Sequence, residues 1–173
     1  MAMQPGIALC TKEMLVPKIE LASEEDLQAI IALNQQIQGL HAALYPEDFK
    51  PRADPAGQRA QFTRVMADDA HAVAVYRDSG QVAGYVWLEV QERPETGLIR
   101  SSTRIHVHHI VVAETSLRRR IGSELMQWIE DYAALRGVRQ IVLEHWAGNQ
   151  AAQAFFSRRG FLPMKMSLRK DVP

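Results

Sequence analysis

The 173-residue chain has little of several features that would place it in a specialised class of protein. Its single cysteine, Cys10, excludes an intrachain disulfide and fits a reducing compartment, so we expect a cytoplasmic location. No apolar run approaches the roughly 18 residues that a membrane span needs. The formal net charge is zero, so the chain lacks the strong positive field on which nucleic-acid binding depends. We therefore expect neither a membrane nor a nucleic-acid partner.

What is present indicates one globular domain. The chain is 47% hydrophobic and 23% charged, which is ordinary for a folded domain. Residues 1–15 lack the basic and apolar regions of a signal peptide, and we interpret them as a flexible leader. Residues 16–173 are then expected to form a single domain, since this length can bury a core without metals or disulfides.

The zero net charge conceals an asymmetry between the two halves. Residues 1–87 hold 7 basic and 11 acidic side chains, whereas residues 88–173 hold 13 basic and 9 acidic ones. Fifteen of the 20 basic residues are arginine, whose planar guanidinium binds phosphate and carboxylate through paired hydrogen bonds better than lysine does. Either the split is scatter, or the second half binds an anion and the first half attracts a cation.

Hydrophobic periodicity and turn residues predict alternating strands and helices. Strands are expected at Val16–Leu21, His71–Tyr76, Val82–Val90, Arg104–Val112, Arg139–Trp146 and Leu162–Leu168. Helices are expected at Leu27–Leu40 and at about 55–69, 119–136 and 149–159, with loops at 41–53 and 91–103. This order predicts an α/β (α+β) fold with a mixed, mostly antiparallel central sheet flanked by helices.

The most informative segment is a strand that leads through a basic turn into a helix. Ile110, Val111 and Val112 end the strand, and the turn Arg118–Arg120 precedes Gly122 and Ser123 at the helix start. Free N–H groups and the helix dipole favour an anion there, and glycine lets the backbone approach it closely. The segment is neither a Walker loop nor a dinucleotide fingerprint. A solvated basic turn is the alternative.

A second motif makes the chain resemble a known family. In Arg104–Leu168, the spacing of Asn149, Ala152, Phe155 and Gly160-Phe161 matches the pattern Asn-x-x-Ala-x-x-Phe-Tyr-x-x-x-Gly-Phe. The block resembles the GNAT superfamily of N-acetyltransferases, which use acetyl-coenzyme A. The opening strand and helix start also resemble that family, so the likeness extends over residues 16–170.

The resemblance implies a GNAT-type fold and a set of cofactor contacts. It implies acetyl-CoA as co-substrate, no metal, and a small-molecule or peptide amine as acceptor, with a homodimer common among relatives. The implied cofactor-binding residues are Ile110, Val111, Val112, Arg118, Arg119, Arg120, Gly122, Ser123, Asn149, Ala152 and Phe155. A backbone N–H near Ile110–Val112 is expected to stabilise the oxyanion.

Three positions depart from the family pattern. Leu117 stands where the family has Arg or Gln, and Arg120 stands at its first glycine. Phe156 stands where the family often has a tyrosine that protonates the leaving thiolate, and a phenyl ring cannot donate a proton. A catalytically silent acyl-CoA-binding regulatory module, or a structural dimer partner on the same scaffold, is therefore kept as an alternative to an enzyme.

The candidate general bases lie on or near two strands. They are His106, His108, His109, Glu144 and His145, with His108 preferred and then His109 and Glu144. On a regular strand, His106 and His108 would share one face and His109 would point to the other. A water relay without a single essential base is the alternative.

The acceptor amine is expected to bind near the 41–53 and 91–103 loops. His41, Tyr45 and Phe49 are the candidate contacts, with Glu47 and Asp48 beside them. The alternative is that these side chains only cap and pack the loop. Tyr85 and Trp87 are interpreted as core residues.

Overall fold

Five strands form one sheet with helices on both faces. The structure, a computed structural model, describes residues 18–172, so the expected leader and Cys10 lie outside the described residues. The strands are β1 (Lys18–Leu21), β2 (His71–Asp78), β3 (Gln81–Arg93), β4 (Ser102–Val112) and β5 (Ile141–Leu143). The helices are α1 (Leu27–Leu44), α2 (Pro55–Met66), α3 (Ile121–Leu135) and α4 (Gln150–Arg158), with 3-10 turns at Glu24–Asp26 and Glu114–Ser116.

The sheet order follows the chain order. Strands β1 to β4 are antiparallel neighbours, and β5 pairs in parallel with β4 after the crossover through α3. A short loop can join antiparallel strands, whereas a parallel pair needs such a crossover. This arrangement confirms the predicted mixed, mostly antiparallel sheet flanked by helices.

The two faces of the sheet carry separate cores. One face packs against α3 and α4 through buried residues that include Leu88, Ile105, Leu125 and Phe156. The other face packs against α1 and α2 through Leu27, Ile30, Phe62, Val73, Tyr85 and Trp87. Tyr85 and Trp87 therefore belong to the core, as predicted. No helix among the described residues is long and apolar enough to cross a bilayer.

A glycine lets α3 and the end of β4 lie close together. A Cβ at Gly84 would be 2.8 Å from the backbone oxygen of Val111 and 3.2 Å from Leu125 Cδ1. Real Cβ atoms do not approach a carbonyl oxygen that closely, so only glycine fits at this point of β3. The position matters because the end of β4 and the start of α3 form the candidate site.

Two strand predictions and two loop predictions are corrected. The predicted 91–103 loop is shorter, because β3 runs to Arg93 and β4 begins at Ser102. The segment Leu162–Leu168 has no regular secondary structure, and its alternating apolar residues are exposed. Alternation by itself does not make a strand, and β5, an edge strand with which this segment could pair, is only 3 residues long. The strand predicted at Arg139–Trp146 covers only Ile141–Leu143, and α1 continues to Leu44.

Candidate functional site

The parallel strands β4 and β5 pair over a short length and then separate. Their paired residues end at Val107 and Leu143, while β4 continues along β3 to Val112. Over residues 108–112, the β4 edge turned away from β3 therefore has no strand partner in the described chain. We call this gap the notch. The Ala113 N–H bonds the Ala83 carbonyl on β3, and backbone groups alternate in direction along an antiparallel strand, so those of Val111 also face β3. Of the three residues at which the sequence predicts cofactor binding, Ile110 and Val112 therefore turn their backbone groups toward the notch.

The basic turn Arg118–Arg120 has a left-handed backbone at two of its residues. The φ angles are 63° at Arg118 and 66° at Arg120. Side chains disfavour this conformation by roughly 1 kcal/mol or more, whereas glycine adopts it freely. The family glycine that Arg120 replaces thus corresponds to a real conformational need, and arginine meets that need with strain. The first intrahelical bonds, from Ser123 and Glu124, both go to the Arg120 carbonyl.

The three arginines of the turn have different surroundings. Arg119 forms an ion pair with Asp78 at 2.5 Å, which fastens the turn to the β2–β3 hairpin. Arg118 and Arg120 are exposed and have no ion pair within residues 18–172. Of the three, only Arg118 and Arg120 are therefore not held in an ion pair and can bind an anion at the start of α3, where the helix dipole favours negative charge.

Helices α3 and α4 meet at the turn. A Cβ built at Gly122 would lie 3.5 Å from Phe155 Cζ, so the Phe155 ring covers this glycine. The Asn149 side chain accepts a hydrogen bond from the Ala152 N–H at 3.0 Å and so caps the start of α4. The second motif thus positions Phe155 beside the basic turn. The motif residues Asn149 and Ala152 act within α4 itself.

The position that the family often fills with tyrosine is a core position here. Phe156 is only 7% exposed and packs against Phe155, with ring centroids 5.3 Å apart, and Phe161, at 5.7 Å. A hydroxyl added to this ring would therefore lie in a largely buried, aromatic environment.

A β-bulge reorders the histidines of β4. Trp87 pairs with His109 and Leu88 pairs with Val107, so His108 is an extra residue on β4. Cross-strand partners share a face, and Glu89 pairs with His106, so His106 and His109 both lie on the Trp87 side. The prediction that His109 points to the other face is therefore wrong, because the extra residue shifts the alternation by one.

The side chain of His108 lies on the same side as its two neighbours. Its ring stacks on Trp87 with centroids 4.3 Å apart, and it lies 4.4 Å from the His106 ring. Its Nε2 is 2.9 Å from Glu89 Oε2. Burial raises the pKa of Glu89, but hydrogen bonds from Gln91 and His108 outweigh burial, and the net pKa is lowered. We name the surface formed by His71, Trp87, Glu89, His106, His108 and His109 the histidine face.

Glu89 is a site residue that sequence reasoning missed. It is half-buried on β3 and lies directly opposite both His71 on β2 and His106 on β4. The turn at Asp78–Gln81 alone would place His71 opposite Leu88, and the register shift between Tyr76 and Arg77 brings Glu89 there instead, so no local pattern could have identified it.

His109 is held by a buried polar network. Its Nδ1 lies 2.9 Å from the Tyr85 hydroxyl and 3.1 Å from Asn34 Nδ2, and Asn34 also accepts a bond from Gln58. Burial, followed by the charges of His108 and His41, lowers the pKa of His109 to about 4. With Nδ1 accepting hydrogen bonds, the proton of the neutral ring resides on Nε2. In this arrangement His109 donates from Nε2 and has no free nitrogen lone pair.

The remaining base candidates lie at the edge of this surface. His106 Nδ1 accepts from Gln91 Nε2 at 3.1 Å, and burial and the charge of His108 lower its pKa. Glu144 is exposed just beyond β5, and its charge opposes that lowering. His145 is exposed, and its Nδ1 is bonded to the Trp146 carbonyl.

The acceptor candidates form a cluster of aromatic rings. The ring centroid of Phe49 lies 4.9 Å from the ring centroids of both His41 and Trp146, and that of Tyr45 lies 4.8 Å from that of Trp146. The Tyr45 hydroxyl also accepts a hydrogen bond from Gly148 N–H at 2.7 Å. These four rings, the aromatic cluster, join the end of α1 to the loop between β5 and α4. Trp146, 40% exposed, is a member that sequence reasoning missed.

Comparison with known proteins supplies a family and a fold. A family model described as the acetyltransferase (GNAT) family matches residues 34–161. No curated protein sequence matches the chain significantly. A tetramutant of the BH1408 protein from Bacillus halodurans shares 19% identity, with a TM-score of 0.84, over 90% of this chain and 99% of its own.

Two other similar structures contain the cofactor. An aminoglycoside N-acetyltransferase in complex with CoA shares 15% identity, with a TM-score of 0.71, over 91% of this chain and 95% of its own. A Clostridium acetobutylicum protein, named a predicted acetyltransferase and bound to acetyl-CoA, shares 14% identity, with a TM-score of 0.68, over 90% and 96%. At these identities the likeness is one of fold.

Proposed function

Because the chain belongs to the acetyltransferase (GNAT) family, we propose that it transfers the acetyl group of acetyl-CoA directly to a primary amine of a small molecule or peptide. The observation that carries the proposal is the notch beside the start of α3. It combines unpaired strand backbone with a helix N-terminus and two uncommitted arginines, and these are the groups that a thioester arm and a pyrophosphate need.

The proposed cofactor site uses both motifs. Backbone groups at Ile110 and Val112 would bind the extended chain that carries the thioester and the thioester oxygen, while Val111 keeps β4 paired with β3. Arg118, Arg120 and the Gly122 N–H would bind the phosphates, and Ser123 would contribute its hydroxyl because its N–H bonds the Arg120 carbonyl. Arg119 would hold the turn in place through its ion pair with Asp78. Phe155 would pack on the cofactor, held in place by the α4 start at Asn149 and Ala152.

The proposed reaction is attack of the amine nitrogen on the thioester carbonyl. A base removes one proton from the ammonium group, and the neutral amine then forms the C–N bond. The C–S bond breaks, CoA leaves as a thiolate, and the nitrogen loses its second proton to solvent. An amine with a pKa near 10 is mostly protonated at neutral pH, so a base raises the rate. An alkyl thiol such as that of cysteine has a pKa near 8.5, so its thiolate can leave without first being protonated. The absence of a proton-donating tyrosine at Phe156 therefore does not prevent the reaction.

Among the base candidates, the geometry favours His108. Its ring is half-buried on the histidine face and stacked on Trp87, and its Nε2 is bonded to the Glu89 carboxylate, which orients the ring and leaves Nδ1 to take the proton. His109 is less suited because its Nδ1 already accepts hydrogen bonds. Glu144, exposed and near His106, is the second candidate.

The aromatic cluster is the proposed acceptor wall. His41, Tyr45 and Phe49 meet Trp146 there, and aromatic faces attract ammonium groups. Asp48 does not provide a free carboxylate on this side, because Arg169 binds it at 2.8 Å.

The test is release of free thiol from acetyl-CoA in the presence of primary amines and peptides. We expect amine-dependent release, and a drop in kcat/KM of about 10²- to 10⁴-fold in His108→Gln with an unchanged KM for acetyl-CoA. An unchanged kcat/KM would remove His108 from the role of base. Binding of acetyl-CoA without turnover over a broad panel would instead support the silent regulatory module.

A further inference from the structure

Three adjacent strands bring a set of metal-ligating side chains together on the histidine face. His71 on β2 and Glu89 on β3 are directly paired, and the bulge moves His108 of β4 toward Glu89. One ligand atom from each of the three lies within 4.8 Å of the others, and all three residues are half-buried. The His106 ring lies next to His108, with centroids 4.4 Å apart.

We propose that His71, Glu89 and His108 form a binding site for a divalent transition metal, with zinc as its simplest occupant. Two imidazoles and one carboxylate form a ligand set that zinc accepts, and a fourth position is left for water or His106. Ligands on a tetrahedral zinc lie about 3.3 Å apart. His108 Nε2 and Glu89 Oε2 already lie 2.9 Å apart, so small side-chain rotations bring both to an ion. The proton shared between them leaves Nε2 when the ion binds, either to Nδ1 of the same ring or to solvent.

The surroundings hold two of the ligands in place. Trp87 stacks on His108 and donates its indole N–H to His71 Nδ1 at 3.1 Å. An ion bound at that nitrogen takes the place of this hydrogen bond, while the indole keeps its proton. The ring proton of His71 then resides on Nε2, which faces Asp68 Oδ2 4.0 Å away. Metal-bound histidines commonly donate their second N–H to such an outer carboxylate.

The test is titration of the metal-free full chain with zinc chloride by calorimetry. Tryptophan fluorescence, to which Trp87 contributes as one of three tryptophans, is a second signal. A Cys10→Ser background removes the one thiol, which lies outside the described residues. We expect one saturable zinc per chain, and at least about tenfold weaker binding in both His71→Asn and Glu89→Gln. His145→Asn, an exposed imidazole away from the cluster, should bind as the unmodified chain does.

The proposal is overturned if the chain shows no saturable binding, or if both ligand variants bind zinc as tightly as the unmodified chain. Using two variants guards against a fold defect in one of them, which circular dichroism would reveal. Because the readout is binding and not turnover, its result is independent of whether acetyl transfer is found. If His108 is also the base, bound zinc should inhibit the transfer.

Discussion

The three neighbouring arginines of the basic turn are expected to contribute differently to the affinity for acetyl-CoA. Arg118 and Arg120 are exposed and unpaired within the described chain, while Arg119 is tied to Asp78. An exposed charged contact to phosphate contributes about 1 kcal/mol, which is about fivefold in affinity. We therefore expect Arg118→Gln and Arg120→Gly each to raise the Kd for acetyl-CoA about fivefold.

The Arg120→Gly change also separates binding from stability. Glycine removes the strain of about 1 kcal/mol that the left-handed backbone causes at Arg120, which raises the free energy of unfolding. It also increases the conformational entropy of the unfolded chain, which lowers the free energy of unfolding by a similar amount. The melting temperature should hence hardly change while affinity falls. Arg119→Gln should do the reverse, since it loses an ion pair worth at most about 1 kcal/mol of stability and should alter affinity less than twofold.

The assay is calorimetric titration with acetyl-CoA at low and high salt, beside thermal unfolding of each variant. Affinity of the unmodified chain should fall with salt, and Arg118→Gln/Arg120→Gly should show a smaller slope. Arg139→Gln, an exposed arginine before β5, is the control. Equal losses in all three single variants, or full affinity in the double variant, would refute the assignment of the two free arginines.

Two further predictions concern packing around the site. Gly84→Ala should lose about 1–3 kcal/mol, because its Cβ would meet the Val111 oxygen, and thermal unfolding should show a clear drop in Tm. Gly39→Ala, on exposed helix with nothing within 4 Å, should instead gain up to about 1 kcal/mol, and a drop there would contradict the packing argument. Phe156→Tyr should lower Tm through its buried hydroxyl and leave acetyl transfer no faster; an increased rate would show that the ring faces the thioester.

The parts of the fold that the sequence predicted are those with a strong local signal. The apolar periodicity of α3, the turn between β2 and β3, and the spacing from Asn149 to Phe161 each reflect local geometry, and each is present. The strand at Leu162–Leu168 was wrong because alternation describes only the chain itself, whereas pairing also depends on a neighbouring strand, here the short β5. The end of α1 was missed since proline signals mark a helix boundary only to within a few residues.

The candidate site was predicted in composition but not in arrangement. His106, His108 and His109 were identified as chemistry-bearing residues, yet one extra residue in β4 decides which way they point. A bulge of this kind depends on the register with β3, which no single-strand pattern records. Glu89 and Trp146 were missed for the same reason, because their roles come from partners distant in sequence.

The central claim is that the chain transfers acetyl groups from acetyl-CoA to primary amines. The most direct measurement is the rate of thiol release from acetyl-CoA across a panel of small-molecule and peptide amines, with the acetylated product identified by mass spectrometry. We expect thiol release that requires both the chain and an amine, with one acetylated amine formed per thiol released. Tight binding of acetyl-CoA with no acetylated product from any amine would contradict it.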